Sequence, residues 1–198
     1  MPMPSRRTFL PLIGVALALL VVVGAVVIQQ ASRPSHAASG IGGPFALVDG
    51  EGQPVTEASF SGQPLLVFFG YTHCPDVCPT TLDAISQTFK AMGPDKKVHA
   101  LFITLDPERD TPAVMKDYVS SFDPRVVGLT GTQAAIDQVA HEFRVYAKKV
   151  PTGDGSYSVD HTGVVYLMNP KGDFVESFNP DLEDPAKASA TLSTYLNG

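Results

Sequence analysis

Leu65-Leu66-Val67-Phe68-Phe69-Gly70-Tyr71-Thr72-His73-Cys74-Pro75-Asp76-Val77-Cys78-Pro79 is the stretch on which the fold turns. Leu65 to Phe69 is apolar at every position and of strand length, which predicts a buried central strand. Beyond it, Leu82, Ile85 and Phe89 recur at helical spacing. Both cysteines of the chain therefore lie in the loop between a central strand and the first helix. Each stands directly before a proline, which favours extended backbone. Proline is best tolerated at the first helical position, which places Pro79 there, Cys78 at the N-cap and Cys74 in the loop above. A helix start offers free N–H groups and the positive end of the dipole, and both stabilise a thiolate. Thiolates serve a soft metal ion or disulfide exchange.

Working outward, strands and helices alternate. Phe45 to Val48 reads as a short strand closed by the turn Asp49-Gly50. Val98 to Leu105 is a second apolar run, followed by a helix from Pro112 to about Phe122 with Thr111 as its N-cap. Val126 to Leu129 reads as a strand and Thr132 to Phe143 as a helix. Gly163 to Met168 and Phe174 to Phe178 flank Asn169-Pro170-Lys171-Gly172-Asp173, a hairpin pattern. A last helix starts at Asp184-Pro185. The order predicts an α/β fold, a mixed sheet flanked by helices. A thioredoxin-like fold satisfies it, as do some other α/β arrangements.

The N-terminus reads as an anchor or an address. Arg6-Arg7 precedes Leu10 to Ile28, an uncharged run that as a helix reaches about 28 Å, the thickness of a bilayer core. The arginines favour a cytoplasmic near end, at residues 1–9, and an extracytoplasmic domain. A single-pass anchor over 10–28 is expected, with a cleaved twin-arginine-like export signal ending near Ser35-His36-Ala37 as the alternative. Residues 29–43, rich in Ser, Ala, Gly and Pro, read as a tether, and 44–198 as one domain. All 20 acidic residues lie at or after Asp49, whereas Arg6, Arg7 and Arg33 precede it. The 14 basic residues less those three leave 11 against 20 acidic in the domain, a formal charge of −9. Such a surface repels phosphate backbones, so nucleic acid is not an expected partner.

Two sulfurs alone can hold Cu(I), but a site that also handles Cu(II) gains from an imidazole. His36 lies in the tether, and His99 and His141 fall in a strand and a helix with no partner motif. His73 adjoins Cys74, and adjacent extended residues point opposite ways. His161, in Val159-Asp160-His161-Thr162-Gly163 just before a strand, is the strongest candidate. Asp160 is a candidate for orienting its ring.

At these residues the chain resembles the Sco/SenC family of copper-delivery proteins. The resemblance rests on Gly42-Gly43-Pro44-Phe45, on Phe68 through Pro79, on Thr104-Leu105-Asp106-Pro107-Glu108-Arg109-Asp110-Thr111 and on Val159-Asp160-His161-Thr162. It implies a thioredoxin-like fold and copper, as Cu(I) and Cu(II), bound by Cys74, Cys78 and His161. It also implies delivery to the binuclear centre in subunit II of cytochrome c oxidase, by a carrier rather than an enzyme. Cys74 and Cys78 form a redox disulfide unless reduced, so an extracytoplasmic thiol reductant is an expected partner. The segment Asp106 to Thr111 reads locally as a strand end, a turn and an N-cap. Asp106 is alternatively a support for the metal site or a charge for a docking partner.

Three other readings stay open. A structural disulfide would close too short a loop to add much stability. A thiol–disulfide oxidoreductase or thiol peroxidase is the main alternative, since Val77-Cys78-Pro79-Thr80 resembles the peroxidatic loop of peroxiredoxins. Against it, Pro75 and Tyr71 stand where that family has a hydroxyl residue and a proline, and a Cys-x-x-Cys is missing. A structural zinc site would normally use four ligands.

Overall fold

The parallel centre of the sheet is built by three largely apolar segments. In a computed structural model, which describes residues 40–153, 155–178 and 185–195, these are β3 (Leu65–Gly70), β4 (His99–Thr104) and β5 (Val126–Thr130). They pair parallel, with Leu65 against His99 and Gly70 against Thr104. Around them lie β1 (Ala46–Asp49), β2 (Pro54–Thr56), β8 (Val165–Met168) and β9 (Phe174–Phe178), in the order β2-β1-β5-β4-β3-β8-β9. The outer pairings are antiparallel. A mixed, thioredoxin-like sheet was expected and is found.

Every residue of β3 is buried, because both faces of the sheet are covered. Leu65, Val67 and Phe69 face one core cluster, with Ile136 and Val139 of α3 (Gln133–Glu142). Leu66 and Phe68 face the other, with Leu82, Ile85 and Phe89 of α1 (Val77–Met92), Met115 of α2 (Pro112–Val119) and Leu192 of α4 (Pro185–Tyr195). This period-two division is what a continuous apolar run means when helices sit on both sides. Thr111 caps α2 as expected, accepting from Val114 N–H, and Thr132, read as the first helical residue, instead caps α3 and accepts from Ala135 N–H. The turn at Asn169 closes through its own side chain, whose Oδ1 accepts from the Lys171 and Asp173 N–H groups.

Three features differ from expectation. The helix after the cysteine loop begins at Val77 with Asp76 as N-cap, because Thr80 N–H bonds Asp76 O and closes the turn two residues early. Pro79 still lies in the first turn, where a missing N–H leaves no helix bond unmade. Second, the loop after α3 contains a separate two-stranded ribbon, β6 (Ala147–Pro151) and β7 (Tyr157–His161). Third, Ile41 to Gly43 pack onto the domain, with Gly42 N–H bonded to Glu142 O, so folded structure begins before Pro44. No helix among the described residues is long and apolar enough to cross a membrane. The expected anchor at 10–28 lies outside the described residues.

Candidate metal centre

The cysteine loop leaves the carboxyl end of β3, where crevices in parallel sheets commonly hold ligands. Its first turn is closed by Cys74 N–H to Tyr71 O, 3.2 Å. Cys78, second residue of α1, is fully buried, and Cys74 is partly exposed. Gly70 makes room for the buried sulfur: a Cβ there would lie 2.6 Å from Cys78 Sγ and 2.8 Å from Phe102 Cε2. Both cysteines are free thiols. The Cys78 N–H, unused within the helix, points at Cys74 Sγ at 3.4 Å.

That setting splits the two thiols. A hydrogen bond from the Cys78 thiol, outweighing partial burial and aided by the Cys78 and Asp76 N–H groups, lowers Cys74 to about 5. Donation to Cys74, together with burial, pushes Cys78 far up. At neutral pH the pair therefore shares one proton, held on Cys78.

His161 closes β7 and reaches the same spot from the ribbon. Its Nε2 lies 3.9 Å from Cys78 Sγ. Its Nδ1 lies 3.0 Å from Thr162 O. A carbonyl only accepts, so Nδ1 carries a proton there, and Nε2 is the ring nitrogen turned toward the sulfurs. The Tyr71 ring meets the imidazole edge-on, centroids 6.0 Å apart at 85°. The donor atoms of Cys74, Cys78 and His161 all lie within 4.8 Å of one another. Two sulfurs and one imidazole nitrogen suit a soft cation. The partly exposed Cys74 gives that cation a way in and out.

The other candidates fall elsewhere. His73 is exposed, its Nδ1 3.1 Å from Thr72 Oγ1 and 3.9 Å from Asp110 Oδ1. His99 stacks tilted against Phe60, and burial lowers its pKa. His141 is exposed on α3, and His36 lies outside the described residues. Asp160 is exposed and alternates with His161 along β7, so the ring's partner is the Thr162 carbonyl. Asp106 is fully buried and cannot present its charge to a docking protein. Its carboxylate instead takes a hydrogen bond from Arg109 Nε and one from Tyr157 Oη at 2.8 Å.

Sequence reasoning missed Gly70 and the ribbon. A glycine closing an otherwise apolar strand signals close approach, and Thr152-Gly153 with Gly155 ahead of the alternating run Tyr157 to His161 signals a turn into a strand.

Residues 33–197 match the SCO1/SenC family. The human mitochondrial SCO1 homolog is 41% identical over 162 residues, covering 79% of this chain. This chain spans 53% of that relative's length and 50% of the zebrafish mitochondrial SCO2 homolog's, to which it is 45% identical over 141 residues, 69% of this chain. Among solved structures, copper-bound ScoI of Bradyrhizobium japonicum superposes with a TM-score of 0.75 at 57% identity, covering 79% of this chain and 99% of that one. Copper-bound ScoI of Arabidopsis thaliana gives 0.73 at 36% identity, covering 79% and 98%.

Proposed function

The chain belongs to the SCO1/SenC family, and on that premise we propose that it is a copper metallochaperone whose cargo is held by Cys74, Cys78 and His161. The observation that carries the reading is the convergence of two free thiols and an imidazole within 4.8 Å at a strand's carboxyl end. The uneven thiols fit a carrier. Cys74 offers a ready thiolate for capture, and a soft cation takes the place of the proton between the sulfurs. The destination is the binuclear copper centre in subunit II of cytochrome c oxidase, reached by exchange with the target's own thiolates. An extracytoplasmic thiol reductant keeps Cys74 and Cys78 open for loading. Residues 10–28 anchor the domain on the extracytoplasmic side, with 1–9 in the cytoplasm and the stretch from residue 29 up to the packed Ile41 as tether; Arg6-Arg7 ahead of an uncharged run of bilayer length supports this setting.

The test is an anaerobic titration of the reduced domain with Cu(I) against a chromogenic chelator. About one Cu(I) per chain is expected to bind. Undiminished affinity in the Cys74→Ser/Cys78→Ser variant would end the copper reading. His161→Ala separates the thiol-enzyme alternative. Disulfide exchange needs only the sulfurs and should survive it, whereas Cu(II) binding should weaken.

A further inference from the structure

The turn between β4 and α2 carries two fully buried carboxylates, and they serve opposite sides of the metal centre. Asp106 faces the ribbon. Tyr157 Oη donates to its Oδ1 at 2.8 Å, and Lys149 Nζ stands 3.8 Å from the same oxygen. Its other oxygen receives Arg109 Nε, and that guanidinium lies over the Tyr157 ring at 3.9 Å while its Nη1 donates to Tyr157 O at 3.2 Å. Tyr157 opens β7, and His161 closes it.

Asp110 faces the cysteine loop. Thr72 gives it both its N–H, 3.0 Å, and its hydroxyl, 2.6 Å, two residues before Cys74. Thr104 Oγ1 donates to Asp110 at 2.6 Å while accepting from Asp106 N–H, and Asp110 N–H bonds Asp106 O at 2.9 Å. The two carboxylates therefore sit in one turn, tied to β5 through Thr130 Oγ1 on Asp110 O.

We infer that Asp106 and Asp110 are separate positioning residues for the two halves of the site: Asp106, through Tyr157 and Arg109, aims the His161 ribbon, and Asp110, through Thr72, holds the cysteine loop. The names of the donors rest on the copper reading; the division of labour does not. A buried carboxylate is costly to place and gains its worth only from fixed donors. Here the donors belong to otherwise separate elements. The ribbon is outside the seven-stranded sheet, with every residue of β6 exposed. It needs such a tie if the imidazole is to meet the sulfurs.

The experiment uses the reduced, copper-free protein and two mild variants that each remove one hydroxyl. Tyr157→Phe should speed amide hydrogen exchange across 157–161 by about tenfold, the loss of one hydrogen bond to a charged group. It should also split or broaden the His161 ring signals in the NMR spectrum, while exchange at 72–78 stays within about twofold. Thr72→Val should do the reverse, loosening 72–78 and leaving the imidazole signals intact. Arg109→Lys, which keeps the charge but not the planar fork, should resemble Tyr157→Phe. Unchanged ribbon exchange and ring signals in Tyr157→Phe would overturn the inference, as would both variants loosening both arms alike. Failure of Cu(I) to bind wild-type protein would sink the copper reading and leave this result standing.

Discussion

The sulfur arm and the imidazole arm of the site are built differently. Cys78 lies in the first turn of a helix packed on an entirely buried strand, with its sulfur fitted into the space beside Gly70. His161 ends a two-stranded ribbon whose outer strand is exposed throughout and whose own strand buries only Val159. An isolated pair of strands is marginal by itself. The ribbon is held by the Asp106 cluster and by reciprocal bonds between Tyr146 and Thr162 at its base, each 3.0 Å. The difference assigns tasks: the core fixes the sulfurs, and a few polar contacts set where the nitrogen waits. Local opening is then expected to be easier at the imidazole than at the sulfurs, which suits the proposed carrier.

The largest effect should come from attacking the rigid side. Cys78→Ser is expected to lower Cu(I) affinity by on the order of a thousandfold or more, since a hard hydroxyl replaces one of two soft donors. Its thermal midpoint should move little, because serine nearly matches cysteine in size; a large fall there would mean that the sulfur matters for packing instead. Next comes Gly70→Ala. Its Cβ would clash with both Cys78 Sγ and Phe102, and overpacking of this kind costs about 2 kcal/mol. Combining it with Cys78→Ala should recover part of that loss in a double-mutant cycle. Additive losses in denaturant unfolding would mean that Phe102 alone feels the methyl group.

The same asymmetry explains what could be read before the fold was known. The sulfur arm is local: strand, loop and helix follow one another along Leu65 to Phe89, and apolar periodicity with two prolines is enough to place it. Only the helix start was off by a residue or two, because Asp76 O captured Thr80 N–H. The imidazole arm is not local. His161 is separated from Cys78 by 83 positions, and β6, Ala147-Lys148-Lys149-Val150-Pro151, is too short and too polar to look like a strand. The roles of Asp106 and Asp110 were hidden for a related reason. A turn motif shows which residues are adjacent, but not that one carboxylate meets Tyr157 and the other Thr72.

Acidity sharpens the comparison on the sulfur side. In a His161→Ala background only the thiols are titrated within the site. With His161 present Cys74 is lowered to about 5, chiefly by the Cys78 thiol and in part by a hydrogen bond from the His161 ring. The variant should therefore deprotonate Cys74 at a somewhat higher pH, whereas Cys78 keeps its proton well past neutrality. Copper must displace that proton. Affinity for Cu(I) should therefore rise about tenfold per pH unit once Cys74 is deprotonated, and more steeply at lower pH, where Cys74 adds a second proton. Titrations in buffers of different ionisation heat would count the released protons. A slope near zero at neutral pH would mean that both sulfurs are already thiolates.

The smallest effect is expected from Lys149→Ala, and it tests what holds the imidazole side. Lys149 contacts the cluster three times, 2.7 Å from Glu108 Oε2, 3.8 Å from Asp106 Oδ1 and 4.6 Å from the centre of the Tyr157 ring. Its side chain is 39% exposed, as is Glu108 at 66%. Ion pairs so open to water contribute about 0.5 kcal/mol or less. Arg109 and Tyr157 meet Asp106 where the carboxylate has no water to turn to, so their bonds should dominate. Lys149→Ala should then change ribbon exchange by less than about twofold, against about tenfold for Tyr157→Phe. Equal effects would place the restraint at the surface, and added salt would then loosen the wild-type ribbon as much as the mutation does. A salt-insensitive ribbon, unmoved by losing Lys149, leaves the buried bonds to Asp106 as the contacts that aim His161.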